Sequence, residues 1–268
     1  MSSEKSTDGE KSPDTEEYVR SLARGLAVIE AFDRDHALQS LADVARRANV
    51  SRATARRLLH TLVELGYAAS DGKRFSLRPR VLNLGYSYMA SLGLVEIAQP
   101  EMTELVAEVH ESCSASVMDG HDVVYVARVA SSHRIMSISL NVGSRLPAHC
   151  TSMGRVLLAA MSPEALDTFF ANQQLSRPTE RTVTDIRELR AIISRTTEQG
   201  WAIVDGELEL GLISLAAPIR DASGKVVAAL NISSHTSRTT PESAERLLLP
   251  PLLKAANSIS CALGTERA

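Results

Sequence analysis

Between Tyr18 and Leu77 the apolar residues recur at helical spacing three times and then switch to alternation. Val19, Leu22, Leu26 and Ile29 form one stripe of a first helix, with Arg20 and Arg24 on another. Ser40 precedes the next periodic run and Asp43 stands three residues on, a capping pattern that predicts a short helix to about Arg47. Ala48-Asn49-Val50 then makes a turn, because asparagine tolerates a left-handed backbone. Ser51 starts a third helix to about Leu65, with Ala55, Leu58, Leu59, Leu62 and Leu65 on one side and Arg52, Thr54, Arg56, Arg57 and His60 on the other. Tyr67 and Ala69 alternate with polar neighbours, Asp71-Gly72 signals a tight turn, and Phe75 and Leu77 resume the alternation, leaving Lys73 and Arg74 at a hairpin tip. Helices, a tight turn and a basic hairpin in this order predict a winged helix-turn-helix.

Beyond it the period changes repeatedly. Pro79 opens a helical stretch from about Arg80 to Ser91, and Ile97–His110 is again helical. Ser114–Met118, Val123–Val129 and Ile135–Leu140 are short and branched or alternating, which reads as antiparallel strands. Helices return at Ser152–Met161, Pro163–Phe170 and Asp185–Gln199, followed by strands at Trp201–Val204, Ile213–Ile219 and Val226–Ile232. A closing helix runs from Pro241 towards Leu263, interrupted near Pro250-Pro251. Strands early and late, with helices between them and at the end, predict an α+β domain around one central antiparallel sheet.

Charge divides the chain in the same place. Residues 18–95 carry 12 Lys or Arg against 6 Asp or Glu, whereas residues 96–268 carry 15 against 20. Positive charge is thus concentrated where a phosphate backbone would be met, and the basic face of the third helix suits the DNA major groove. The expected organisation is an acidic, disordered arm at 1–17, a DNA-binding domain at 18–78, a linker helix at 79–95 and an effector-binding and oligomerisation domain at 96–268. No apolar core follows the charges of the arm, so it is no signal peptide, and no run reaches membrane-spanning length. The three cysteines, Cys113, Cys150 and Cys261, have no metal-ligand spacing, so no metal or cofactor is expected and reduced cytoplasmic thiols are.

The segment LPAHCTSMGRVLLAAM at 146–161 is the most unusual part of the second domain. Pro147 and His149 lie in a loop, Thr151 or Ser152 can cap a helix, and Gly154 leaves space over its first turn. Free amides near Ser152 and Met153 then make an anion site. Arg134 or Arg155 could complete a carboxylate clamp. Asp205, Glu207, Ser214, Asn231 and Ser233 form a second polar set, with apolar lining from Ile135, Met136 and Met153. An enzymatic alternative exists in His149 beside Cys150 and in Ser233-Ser234-His235, but sequence neighbours seldom form triads and the G-x-S-x-G elbow is absent.

The blocks SLADVARRANVSRATARRLLHTLVELGY, LPAHCTSMGRVLLA, GWAIVDGELELGLISLAAPI and AALNISS together resemble the IclR family of bacterial transcriptional regulators, over Tyr18 to about Leu263. Their wording is most similar to the subgroup that governs aromatic-acid breakdown through protocatechuate and β-ketoadipate. The resemblance implies a GAF-like effector domain, assembly as dimers or dimers of dimers, operator DNA as partner, RNA polymerase as a further candidate partner, and an aromatic carboxylate as effector. It also implies that the effector's carboxylate meets Ser152 and Met153, with polar groups from Asp205, Ser214, Asn231 and Ser233. A keto or dicarboxylic acid is the alternative effector, and an enzyme with a nucleic-acid-binding appendage the alternative outside the class.

Overall fold

The computed structural model describes residues 18–85, 88, 93–131, 140–171 and 174–265. They form two compact units, divided after Tyr88. The expectations for the 1–17 arm, for Arg134, Ile135 and Met136, and for most of the strand at 135–140 lie outside the described residues.

In the first unit α1 (Arg20–Glu30), α2 (Leu41–Arg47) and α3 (Arg52–Glu64) pack around Val28, Val44, Leu59 and Leu62. Ser40 accepts the amide of Asp43 and Ser51 that of Thr54, so both expected N-caps form. Asn49 makes the turn at φ 50°. The wing pairs β2 (Ala68–Ser70) with β3 (Arg74–Leu77), and a two-residue strand β1 (Gln39–Ser40), too short to show in a sequence pattern, adds to the far edge of β3. The turn lies one residue later than its sequence signal suggests. The Asp71 amide bonds the Arg74 carbonyl, so Gly72 and Lys73 are the central pair and Gly72 takes φ 90°. After the wing, Pro79–Val81 forms a 3₁₀ turn and residues 82–85 are helical.

The second unit is an antiparallel sheet covered on both faces. Its strands are β4 (Ser112–Asp119), β5 (Asp122–Val129), β6 (Arg145–Pro147), β7 (Ala202–Asp205), β8 (Leu212–Arg220) and β9 (Val226–His235), in the order β6-β5-β4-β9-β8-β7. One face packs on α4 (Leu94–Val109), α8 (Pro241–Leu247) and α9 (Leu249–Thr265), through Cys113, Ala115, Val117, Leu215 and Leu230. The other packs on α5 (Ser152–Ala159), α6 (Pro163–Phe170) and α7 (Ile186–Gln199), through Tyr125, Leu212, Ala216 and Ala229. The architecture is α+β. Sequence reading misplaced one break: α8 and α9 bend by 48° before Leu249, whereas Pro250 and Pro251 sit inside the first turn of α9, where missing N–H groups cost nothing. No single helix among the described residues is long and apolar enough to cross a membrane.

Period-two alternation decides which strand residues meet which layer. On β4 it sends Cys113, Ala115 and Val117 to the α4–α9 side, and Ser112, Ser114 and Ser116 to the side of α5. All three serines are buried.

Candidate nucleic-acid interface and ligand cavity

The outward face of α3 presents Arg52, Arg56, Arg57 and His60, all exposed, while Ala55, Leu59 and Leu62 are buried behind them. None of the three arginines has a carboxylate partner among the described residues, so their donors remain available to base edges or phosphates. Ser51 and Thr54 hydroxyls bond each other at 2.9 Å, which gives both a helix-starting role. Arg20 and Arg24 are exposed on α1. At the wing, Lys73 and Arg74 are both exposed, and Arg74 Nε donates to Asp71 Oδ2 at 3.3 Å. That pair is exposed and weak, and leaves the remaining guanidinium donors of Arg74 for a phosphate. Arg52→Ala is expected to cost about 1–3 kcal/mol of operator affinity and to relax preference at one base pair. A binding assay over single-base operator variants checks it; a uniform loss would reassign Arg52 to the backbone.

In the second unit, β6 ends in a buried 3₁₀ turn, Ala148–Cys150, that delivers the chain to α5. Thr151 Oγ1 accepts the Gly154 amide at 3.1 Å, so the amides of Ser152 and Met153 remain as helix-start donors without a capping side chain. A cavity of about 10 Å³ lies beneath this helix start, roughly the room of one water. Thr151, Ser152 and Met153 form one wall and Ser214, Asn231 and Ser233 another. Ser152 and Ser214 meet across it, hydroxyl to hydroxyl at 2.8 Å, and Asn231 Nδ2 donates to Ser233 Oγ at 3.0 Å. Tyr125, Cys150, Val204, Leu208 and Leu212 complete the lining, and sequence reading assigned none of them to the ligand site. A larger cleft, about 270 Å³, opens beside the other end of α5 near Thr197, Arg220 and Lys225, without a comparable set of buried polar groups.

Five sequence-chosen residues are engaged elsewhere. Gly154 does not open space for a ligand: a Cβ there would stand 2.0 Å from the Ala148 carbonyl oxygen, so the close approach of the 3₁₀ turn is what requires glycine. Asp205 faces the opposite side of β7 from Val204 and accepts Arg181 Nη1 at 2.6 Å. Glu207 receives Arg155 Nη2 on both carboxylate oxygens, at 2.7 and 2.8 Å, and the Val183 amide at 3.1 Å. Arg155 is therefore neither solvated nor a free clamp; its Nε also bonds the His149 carbonyl. His149 donates from Nε2 to the Ser176 carbonyl at 2.9 Å, which leaves Nδ1 buried and unprotonated, and burial holds the ring's pKa below its ordinary value.

The neighbours that suggested catalysis point apart. Cys150 Sγ contacts the Pro147 carbonyl while His149 turns to Ser176, and burial pushes the thiol up to about 12. Ser234 bonds Glu111 and Thr239, whereas His235 bonds Ser237.

A winged helix-turn-helix joined to a unit with a buried polar cavity defines a ligand-responsive transcriptional regulator. The family model described as the IclR helix-turn-helix domain matches residues 21–72, and that described as Bacterial transcriptional regulator IclR C-terminal matches residues 86–261. The chain belongs to the IclR family of bacterial transcriptional regulators. It is 46% identical over 243 residues to the Pca regulon regulatory protein of Pseudomonas putida, covering 91% of this chain and 84% of that one. It is 37% identical over 249 residues to the p-hydroxybenzoate hydroxylase transcriptional activator of Acinetobacter baylyi, covering 91% and 92%. Among solved structures, an IclR homolog from Microbacterium hydrocarbonoxydans complexed with 4-hydroxybenzoate superposes with a TM-score of 0.80 at 29% identity, over 91% of this chain and 98% of that one.

Proposed function

We propose that this regulator controls genes of aromatic-acid breakdown and that its effector is a small hydroxylated aromatic carboxylate, such as 4-hydroxybenzoate or protocatechuate. The observation that carries the reading is a cavity with two polar ends, helix-start amides at Ser152 and Met153 against hydroxyl and amide groups of Ser214, Asn231 and Ser233. The amides and the helix dipole favour the carboxylate, and the sheet end matches a ring hydroxyl. The names of the two relatives and the ligand of the solved homolog support the same chemistry. Because the cavity is so small, a ring enters only as its walls move, and the effector acts by favouring the arrangement that admits it.

The protein works as a homo-oligomer on operator DNA in the cytoplasm. Supporting this is an apolar groove of about 290 Å³ along α1, lined by Leu22, Leu26, Ile29, Leu58, Leu65 and Leu84. A lone DNA-binding unit exposes this groove to water, and a second copy would cover it.

Operator binding in the presence of each candidate acid tests the function. A hydroxylated benzoate is expected to change operator affinity by roughly 5- to 150-fold, and Ser214→Ala, which also strands the Ser152 hydroxyl, to weaken that acid's binding about fivefold. A response to keto or dicarboxylic acids alone would sink the aromatic reading.

A further inference from the structure

Tyr125 and Arg128 are three residues apart on β5, and in a regular strand that spacing puts them on opposite faces of a sheet. A bulge overrides it. Ala115 pairs with Ala127 but Ser116 pairs with Tyr125, so Val126 is the extra residue, and both Val126 and Ala127 turn to the α4–α9 core. The alternation is thereby reset, and Arg128 emerges on the cavity side with Tyr125. There its Nη1 donates to Ser114 Oγ at 3.1 Å. The Ser114 amide donates to Asn231 Oδ1 at 3.0 Å, and Asn231 passes the chain on to Ser233, so the guanidinium is wired to the polar end of the cavity.

Two groups on this face have unmet capacity. Arg128 has no carboxylate partner among the described residues, although Arg145, Arg155, Arg181, Arg190 and Arg238 of the same unit all do. Ser116, fully buried and paired across β4 and β5 with the cavity-lining Tyr125, has a hydroxyl with no hydrogen-bond partner. A buried hydroxyl left unpaired is costly, and so it marks a place where a ligand oxygen would be favoured. Burial pushes the Tyr125 phenol up to about 12, and the charge of Arg128 pulls it the other way.

We propose that Arg128 is a specificity residue of the effector site, whose guanidinium donates to the ring hydroxyl oxygen of the bound acid while Ser116 Oγ accepts the hydrogen bond that this hydroxyl donates. This rests on the aromatic-acid reading above and names what separates a hydroxylated ring from a bare one. Arginine offers only donors, so a ligand lacking an oxygen at that end leaves it unmatched.

The test is calorimetric titration of the full-length protein with benzoate and with 4-hydroxybenzoate, for the wild type, Arg128→Met and Arg128→Lys. The wild type is expected to prefer the hydroxylated acid by about 10- to 100-fold, the scale of a hydrogen bond to a charged group. Arg128→Met should bring that ratio close to one while benzoate affinity stays within about threefold, which also reports an intact site; Arg128→Lys, still a donor, should keep part of the preference. An unchanged ratio in Arg128→Met overturns the proposal alone, as does an equal loss of both acids. If the wild type binds neither acid, the aromatic reading falls and this proposal with it.

Discussion

Arg155→Ala is expected to cost the effector unit about 3–5 kcal/mol, the scale on which removing one member of a buried ion pair strands the other. The Arg155 and Glu207 side chains are only 4% and 9% exposed, and the pair is fastened by the Val183 amide and the His149 carbonyl. Thr182 Oγ1 adds a 2.6 Å bond to the Glu207 carbonyl, so the network ties the first turn of α5 to two separate loops. Loss of the guanidinium leaves a buried carboxylate without its counter-charge. The double change Arg155→Met with Glu207→Leu is expected to recover much of the loss, because it removes both charges and keeps similar volume. Urea midpoints at constant slope for the two single variants and the double give the coupling energy. A cost below about 1 kcal/mol for Arg155→Ala, the range of exposed pairs, would show that the pair is solvated in solution.

Gly154→Ala should lower stability by about 3 kcal/mol or more, against the sign that helix propensity alone predicts. In an open helix the change would gain up to about 1 kcal/mol. Here the new methyl group would fall 2.0 Å from a carbonyl oxygen and 2.4 Å from the Cα of Ala148, both backbone atoms of a fully buried turn. Backbone in a packed interior cannot yield as a flexible side chain can, so overpacking should take the upper end of its usual range. Thermal and chemical unfolding of the alanine variant decide the sign. A stability within about 0.5 kcal/mol of wild type would mean that the turn is free to withdraw from the helix.

Much of the first unit was legible in the chain because its determinants are local. Ser40 and Ser51 bond amides three residues away, Asn49 turns on its own dihedral preference, and the apolar side of α3 follows from helical period. Most elements of the second unit were legible for the same reason, through alternation and capping. The converging polar set of Ser152, Ser214, Asn231 and Ser233 was also visible as polar residues inside otherwise apolar segments. A comparable signal was present and passed over in Ser112, Ser114 and Ser116, which repeat at period two in a strand whose intervening residues are small and apolar.

What sequence could not fix were the contacts that no helical or strand period encodes. Glu207 and Asp205 stand two apart and read as one acidic cluster, yet one is buried against Arg155 and the other is held by Arg181 across β7. Gly154 reads as open space, but that space is filled by the backbone of Ala148, a packing fact that no local pattern carries. Arg128 reads as the wrong face of its strand until the bulge at Val126 is seen, because one extra residue inverts every later side chain. The sequence by itself determined the elements, the caps and the division into a basic DNA-binding part and an acidic effector part, since these depend on neighbours within a turn or two. Tertiary structure alone decided which charges neutralise each other and which remain for a ligand, because burial and partnership join residues beyond the reach of any local period, 24 apart for Arg181 and Asp205 and 52 apart for Arg155 and Glu207.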